Sequence, residues 1–256
     1  MKYAVGIPTC DRPKELKRVV EAFLGQTVSP SMIVIVNNNS NNFGVWHDAD
    51  FCTALATKKG ILVARNNYPT LGPEQAHQTC LDYWINKNLD IAVRWDDDLV
   101  PATSCMENLL SHFGDPNINC VGGCYPREGK PVWEGGPLGG LPSPDGNPNH
   151  VQFFEWGQAT LPLPVKSLYS GFAYRVKKMV EVGGFCTEYS RMGFRGETDA
   201  TLRLGGCLVE PKAIALHLLA KGGIRAFGTD ELQRLDTKLF EHRMKDLGIV
   251  VGEKHV

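Results

Sequence analysis

The chain has 256 residues, of which 43% are hydrophobic and 21% are charged, and its formal net charge is -1. This length and composition suit one large globular domain with a substantial buried core. The near-zero net charge argues against a general nucleic-acid-binding protein, because such a protein needs a basic surface to neutralise phosphates.

The sequence also argues against a membrane-spanning or secreted protein. No stretch approaches the roughly 20 apolar residues that a transmembrane helix requires. The first residues run into a strand-like segment without the long apolar region of a signal peptide. The eight cysteines show no CxxC spacing, and we interpret them as reduced thiols. We therefore expect a cytoplasmic protein.

The first part of the chain alternates predicted strands and helices. Lys2–Ile7 has the composition of a buried strand, and a polar turn with two prolines follows at 8–13. The apolar residues of Leu16–Leu24 fall on one helical face. Met32–Val36 is a continuous β-rich run, as expected for a strand that is covered on both sides. These segments form a βαβ unit.

The alternation continues with a short predicted strand at Gly60–Ala64, a helix at Glu74–Lys87 and a strand at 90–95. This order predicts an α/β fold, with a mostly parallel, Rossmann-like sheet flanked by helices. A further helix is predicted at Thr103–Phe113, where Gly114 stops the helical pattern.

Polar side chains follow two of the predicted strands. Asp96–Asp98, the aspartate triplet, comes directly after an apolar run. Carboxylates this close repel one another unless a hard cation or a cationic partner offsets their charge. A divalent metal that carries a phosphate fits best, and an acidic loop facing water is the alternative. Asn37–Asn42 also lies at a strand end, where open α/β sheets bind ligands, although asparagine clusters also simply form turns.

The second part of the chain changes character at Val121, where about forty residues rich in glycine and proline begin. We expect no regular structure there, and its large aromatic residues favour a binding loop over a disordered linker. Glu197 and Asp199 form a second acidic site near the start of a predicted helix at Thr198–Leu204. The helix dipole stabilises carboxylates at that position, so capping alone is a possible role. Thr229–Leu247 has the pattern of an amphipathic C-terminal helix.

Six short motifs occur in the order and spacing found in family-2 glycosyltransferases, and the chain resembles that family and its GT-A fold over most of residues 1–218. The motifs are Pro8-Thr9-Cys10-Asp11-Arg12-Pro13, the polar turn Asn37–Ser40, the aspartate triplet as an Asp-x-Asp motif, Ser170–Arg175, Gly183-Gly184-Phe185, and Gly196–Arg203 with His217 downstream. The chain departs from the family pattern in three places: asparagines at 37 and 38 replace aspartates, His77-Gln78 replaces Arg-Asn, and Glu197 replaces the catalytic aspartate.

The resemblance implies a metal-dependent reaction. Asp96 and Asp98 would bind Mn²⁺ or Mg²⁺, and His217 could complete the metal shell or be a core histidine. Glu197 matches the general base, and Asp199 would orient the acceptor or a loop, with the opposite assignment also open.

The resemblance further implies where substrates bind. Residues at three strand ends would contact the nucleotide sugar: Pro8, Thr9, Asp11, Arg12, Asn38, Asn39, Asp96 and Asp97. Alternation along an extended segment is nevertheless expected to turn Asp97 away from the face that Asp96 and Asp98 share. Aromatic rings around the glycine-rich segment could pack against an acceptor sugar or belong to the core. These rings are Trp133, Trp156 and Tyr169, with Tyr125 nearby.

Together these features predict an inverting glycosyltransferase that moves a sugar, with a UDP-sugar favoured, from a nucleotide diphosphate sugar to the hydroxyl group of a saccharide or another acceptor. We expect one domain over 1–256, with a nucleotide-sugar-binding half (1–100), an acceptor and catalytic half (101–220) and a C-terminal helical extension (221–256). A nucleotidyltransferase is an alternative, although it usually opens with a glycine-rich basic loop that this chain lacks. A retaining transferase and a non-catalytic nucleotide-sugar binder are further alternatives.

Overall fold

A computed structural model of the protein describes residues 1–38, 57, 62–68, 72–129, 138–142, 150–155, 161–220 and 228–251. Within these ranges the chain forms a nine-stranded sheet with helices on both faces, together with a separate three-stranded sheet.

The strands are β1 (Tyr3–Thr9), β2 (Met32–Asn38), β3 (Leu62–Tyr68), β4 (Ile91–Arg94), β5 (Leu99–Pro101), β6 (Cys120–Cys124), β7 (Leu138–Pro142), β8 (His150–Glu155), β9 (Leu163–Val165), β10 (Phe172–Arg175), β11 (Cys207–His217) and β12 (Val250–Val251). The helices are α1 (Pro13–Leu24), α2 (Pro73–Ile85), α3 (Cys105–Leu110), α4 (Val176–Glu181), α5 (Gly196–Leu204) and α6 (Asp230–Asp246), and a 3₁₀ turn (Ser111–Gly114) extends α3.

The main sheet has the strand order β3-β2-β1-β4-β10-β6-β11-β5, and β9 pairs with β11. The strands β3, β2, β1 and β4 are parallel. Strand β10 is antiparallel to both of its neighbours, β4 and β6. This architecture confirms the predicted α/β class. Because β1, β2 and β4 run in the same direction, their carboxyl ends meet at one edge of the sheet.

Each face of the main sheet has its own apolar cluster, and strand β2 contributes to both. Ile33 and Ile35 belong to the cluster that contains the apolar face of α1. Val34 and Val36 belong to the cluster on the opposite face, which contains Trp84 of α2. Successive side chains of a strand point to opposite faces, so the continuous apolar run is explained by burial on both sides.

The expectation of no regular structure after Val121 is wrong, because strands β6, β7 and β8 lie in that stretch. Glycine permits the close packing of β6 against β11: a Cβ atom at Gly123 would lie 2.0 Å from the carbonyl oxygen of Ala213. Strand β3 (Leu62–Tyr68) also extends four residues beyond the predicted end at Ala64.

Helix α6 was predicted from its amphipathic pattern, and the structure confirms it at Asp230–Asp246. Its residues Phe240 and Met244 are buried together with Cys186 and Tyr189 in a third apolar cluster. The helix therefore packs against the segment that connects α4 to α5. Among the described helices, none has the length and apolar character needed to cross a membrane.

Candidate active site

An open cleft lies at the carboxyl ends of β1, β2 and β4, with about 760 Å³ of atom-free space, part of which opens to solvent. It brings together residues that are far apart in the sequence. The lining residues are Pro8, Thr9, Cys10, Arg12, Asn38, Pro73, Arg94, Asp96, Asp97, Asp98, Met192, Gly193, Glu197 and His217.

The aspartate triplet forms a turn after β4, and a mostly buried arginine offsets its charge. Arg12 Nη1 donates to Asp97 Oδ1 and to Asp98 Oδ2, each at 2.9 Å. Thr9 Oγ1 donates to Asp97 Oδ2 at 2.8 Å. The expectation that Asp97 points away from the site is therefore wrong, because side chains in a turn do not alternate as they do along an extended strand.

Burial and ion pairing act in opposite directions on this cluster. Burial raises the pKa of Asp97 to about 7, although Arg12 and the Thr9 hydroxyl favour its charged form. Burial opposes the charge on Arg12, but Asp97 and Asp98 outweigh this effect and raise its pKa. Arg12 Nη2 also donates to the carbonyl oxygen of Ala220 at 2.9 Å. One guanidinium group thus joins the β1–α1 turn, the aspartate triplet and the chain after β11.

His217 lies next to the aspartate triplet because β5 and β11 pair antiparallel, with Leu99 opposite His217. Its Nε2 atom is 3.6 Å from Asp98 Oδ1, whereas Asp98 Oδ2 is bound to Arg12. These two atoms are close enough to bind one divalent cation at ligand distances of about 2.1 Å. No group of three or more His, Cys, Asp or Glu side chains in the described ranges could hold a metal. The protein could thus supply two ligands here, as many Mg²⁺ sites do.

Arg94 is a second buried cation in the cleft, and the sequence interpretation missed it. Its guanidinium lies 3.3 Å from Asp96 Oδ1, 3.3 Å from Glu74 Oε1 and 3.7 Å from Glu197 Oε2. It also donates to the carbonyl oxygen of Ser170 at 2.8 Å. An arginine at the end of an apolar strand must find partners when it is buried, and that signal could have identified it.

The partners of Arg94 differ in exposure. Glu74 is fully buried, and burial raises its pKa to about 8 against the opposing effect of Arg94. Burial opposes the charge on Arg94, but Asp96, Glu74 and Glu197 outweigh it and raise the guanidinium pKa. The side chain of Glu197 is 12% exposed and faces the cleft. Glu197 is therefore the carboxylate of α5 that can meet a substrate.

Asp199 lies elsewhere, although it is two residues from Glu197. Its side chain is completely buried, and its oxygens accept from Arg203 Nε at 2.8 Å and Arg243 Nε at 2.9 Å. It does not line the cleft. With both oxygens bound to arginines, Asp199 links α5 to α6. Its catalytic assignment stays a prediction, and the geometry favours Glu197 as the carboxylate of α5 that faces the cleft.

The remaining predicted residues fall into two groups. Asp11 is exposed, with a φ of 54°, and Tyr169 packs against the apolar cluster of α6; neither lines the cleft. The positions predicted at Asn39, Trp133 and Trp156 lie outside the described residues.

The sequence model of Glycosyl transferase family 2 matches residues 4–182, from β1 through α4. The chain belongs to this family. The match ends before Glu197 and His217. The assignment of these two residues to the site therefore depends on the structure and on the motif resemblance. Among curated proteins, no sequence matches the chain.

Solved glycosyltransferase structures share the GT-A fold of this family-2 chain at low sequence identity. Residues 1–349 of TarS from S. aureus are 11% identical, with a TM-score of 0.64 over 95% of this chain and 65% of that one. GalNAc-T7, crystallised with UDP, GalNAc and Mn²⁺, is 14% identical, with a TM-score of 0.68 over 96% and 54%. The mannosyltransferase PcManGT from Pyrobaculum calidifontis, in complex with GDP-Man and Mn²⁺, is 14% identical, with a TM-score of 0.63 over 99% and 65%. The chain thus spans 54% to 65% of these three crystallised chains.

Proposed function

We propose that this chain is an inverting glycosyltransferase that moves a sugar from a nucleotide diphosphate sugar, preferably a UDP-sugar, to an acceptor hydroxyl group. The main support for the proposal is that one cleft of this family-2 chain contains both a candidate base and a candidate metal-binding pair. Glu197, a carboxylate that can act as a base, lines the same cleft as the Asp98–His217 pair, which can hold a divalent cation.

The nucleotide would bind at the ends of β1 and β2. Thr9 and Asn38 line the cleft there, and the amide of Asn38 is 2% exposed. Within the described part of the chain, Asn38 Oδ1 is buried without a hydrogen-bond partner. An unpaired buried acceptor is costly, and a donor group of a bound ligand would satisfy it. An amide can both donate and accept, as pairing with the edge of a uracil ring requires.

The donor diphosphate would bind beside the aspartate triplet. Asp98 Oδ1 and His217 Nε2 would hold Mn²⁺ or Mg²⁺, with the half-buried Asp96 in the same cleft. A bound divalent cation would neutralise the negative charge that develops on the leaving nucleoside diphosphate. Arg12 fixes the orientation of Asp98 by binding its other oxygen, so that Oδ1 stays directed toward His217.

Glu197 would act as the general base of an inverting transfer. Its carboxylate would accept the proton of the acceptor hydroxyl as that oxygen attacks the anomeric carbon. Arg94 compensates the negative charge of Glu197 and holds one side of the carboxylate. Since Asp199 is bound to two arginines, Glu197 is the better placed of the two carboxylates for this role.

The proposal is tested by incubating the chain with UDP-sugars or GDP-sugars, Mn²⁺ and a panel of saccharide acceptors, and then identifying the products. Release of a nucleoside diphosphate, with loss of turnover in Glu197→Gln, is the expected result. Glu21→Gln, at an exposed position of α1, is the matched control and should keep full turnover. NMR of the product should show an inverted anomeric centre. In a parallel incubation with nucleoside triphosphates and sugar 1-phosphates, release of pyrophosphate would indicate a nucleotidyltransferase instead. A retained anomeric configuration in the transfer product would refute the inverting mechanism.

A further inference from the structure

The segment 187–196, which joins α4 to α5, forms part of the active site although it lies beyond the family match. Met192 and Gly193 form part of the cleft wall, and Glu197 follows directly at the start of α5. The position of this segment therefore influences both the shape of the cleft and the position of the proposed base.

Helix α2 holds the segment from one side. Gln75 Nε2 donates to the carbonyl oxygens of Thr187 and Tyr189, each at 2.7 Å. Gly193 has a φ of 61° and lies against Pro73, where a Cβ atom would come within 2.3 Å of the proline ring. The segment is thus in close contact with the beginning of α2.

Helix α6 holds the segment from the other side through one carboxylate. Asp236 Oδ1 accepts from Ser190 N at 2.7 Å. Asp236 Oδ2 accepts from Ser190 Oγ at 2.9 Å and from Phe194 N at 2.8 Å. Both ends of the Ser190–Phe194 turn are thereby fixed to the same side chain.

Asp236 is buried, so its carboxylate and the Ser190–Phe194 turn depend on each other for hydrogen-bond partners. The residue is 2% exposed, and it makes no ion pair among the described residues. A buried carboxylate is unfavourable unless hydrogen-bond donors satisfy it. The three donors of the Ser190–Phe194 turn satisfy the hydrogen-bonding capacity of the Asp236 carboxylate. The carboxylate also gives two backbone N–H groups of that turn an acceptor.

We propose that Asp236 is a positioning residue of the active site. Its carboxylate fixes the Ser190–Phe194 turn and thereby the Met192–Gly193 wall and the start of α5 that carries Glu197. This inference rests on the proposed glycosyl transfer, and it adds the C-terminal helix to the active site of this chain.

The substitution Asp236→Asn tests the proposal with little change in shape. An amide has one acceptor oxygen, so in either orientation its NH₂ group would face the N–H of Ser190 or of Phe194. Ser190→Ala removes one of the three donors and keeps both backbone contacts, so its effect should be smaller. Glu241→Gln, at an exposed position of the same helix, is the matched control.

Hydrogen exchange measured by mass spectrometry reports the position of the turn directly. In Asp236→Asn we expect faster exchange within 187–196 and unchanged exchange in β1, β2 and β4, and the Glu241→Gln control should match the wild type. Unchanged exchange within 187–196 would overturn the proposal, whatever the enzyme activity is.

Measurements of turnover and of UDP binding distinguish a displaced catalytic group from a loss of folded protein. We expect kcat to fall about tenfold or more in Asp236→Asn, because a displaced catalytic group loses much of its effect. The stoichiometry of UDP binding in the presence of Mn²⁺, measured by calorimetry, should stay at the wild-type value, because Thr9 and Asn38 belong to the central strands. Equal losses of kcat and of binding stoichiometry would mean that only the folded fraction had fallen, which would refute the positioning role of Asp236. An unchanged kcat would refute it as well. A wild-type chain that uses no donor would refute the proposed function, and hydrogen exchange would then still decide whether Asp236 fixes the turn.

Discussion

Two carboxylates that are two residues apart on α5 should respond in opposite ways to neutral substitution. Asp199→Asn would leave Arg203 and Arg243 without their counter-charge, whereas Glu197→Gln would change a side chain that faces the cleft. We expect Asp199→Asn to destabilise the fold and Glu197→Gln to abolish turnover in a stable protein.

The magnitudes follow from burial. Removing one partner of a buried ion pair costs about 3–5 kcal/mol. The side chain of Asp199 is 0% exposed and that of Arg203 is 7% exposed, but Arg243 is 27% exposed and can be partly solvated. We therefore expect the lower end, about 3 kcal/mol, which corresponds to a fall in Tm of about 6–12 °C. Glu197→Gln leaves Arg94 with Glu74 and Asp96 as counter-charges, so it should cost only about 1 kcal/mol, and it should lower kcat by about 10²–10⁴-fold.

The assay combines thermal and urea unfolding with turnover measured per folded molecule. If Asp199→Asn were as stable as the wild type and inactive, and Glu197→Gln were active, the two roles would be exchanged and our interpretation of α5 would be refuted. If both variants were stable and active, the base would have to be sought outside α5.

Three further predictions concern the surroundings of the cleft. The pKa of Glu74 is about 8 in the folded protein and near 4.5 when unfolded, so between these pH values the unfolded chain releases a proton that the folded chain keeps. As the pH rises through this range, the free energy of unfolding of the wild type, measured by urea titration, should therefore fall by up to about 1.4 kcal/mol per pH unit relative to that of Glu74→Gln. Parallel pH profiles of the two proteins would contradict this. Gly171→Ala should lower stability by about 1–3 kcal/mol, because the new Cβ would lie 2.4 Å from the buried Trp95 ring; an unchanged Tm would contradict this. Chelation by EDTA should abolish turnover reversibly, and His217→Ala should raise the Mn²⁺ concentration for half-maximal activity about tenfold or more; full activity in EDTA would refute metal dependence.

Local sequence patterns were sufficient to predict much of the structure before residue 100. The apolar spacing of Leu16–Leu24 predicted α1, and the unbroken run at Met32–Val36 predicted a strand buried on both faces. Both features depend on neighbouring residues and on the period of one element. The location of the aspartate triplet at a strand end followed from the same patterns, and the order of the motifs correctly indicated the family.

Strand pairing, in contrast, could not be predicted from local patterns. The glycines of β6 suggested an irregular segment, yet they allow close packing against β11, which lies far away in the sequence. The alternation expected for Asp97 failed because the aspartate triplet ends β4 in a turn. Periodicity applies within an element and gives no information about where that element ends or what packs on it.

The sequence by itself determined the fold class and the family, because these depend on composition, order and short-range spacing. The tertiary structure decided which charges meet. It placed Arg12 on the aspartate triplet, Arg94 between Glu74 and Glu197, and Asp199 between two arginines. Coulombic interactions and burial depend on distance in space, and the strand order of the sheet sets those distances. For this reason the carboxylates of Glu197 and Asp199, equivalent in sequence pattern, have different surroundings in the folded protein.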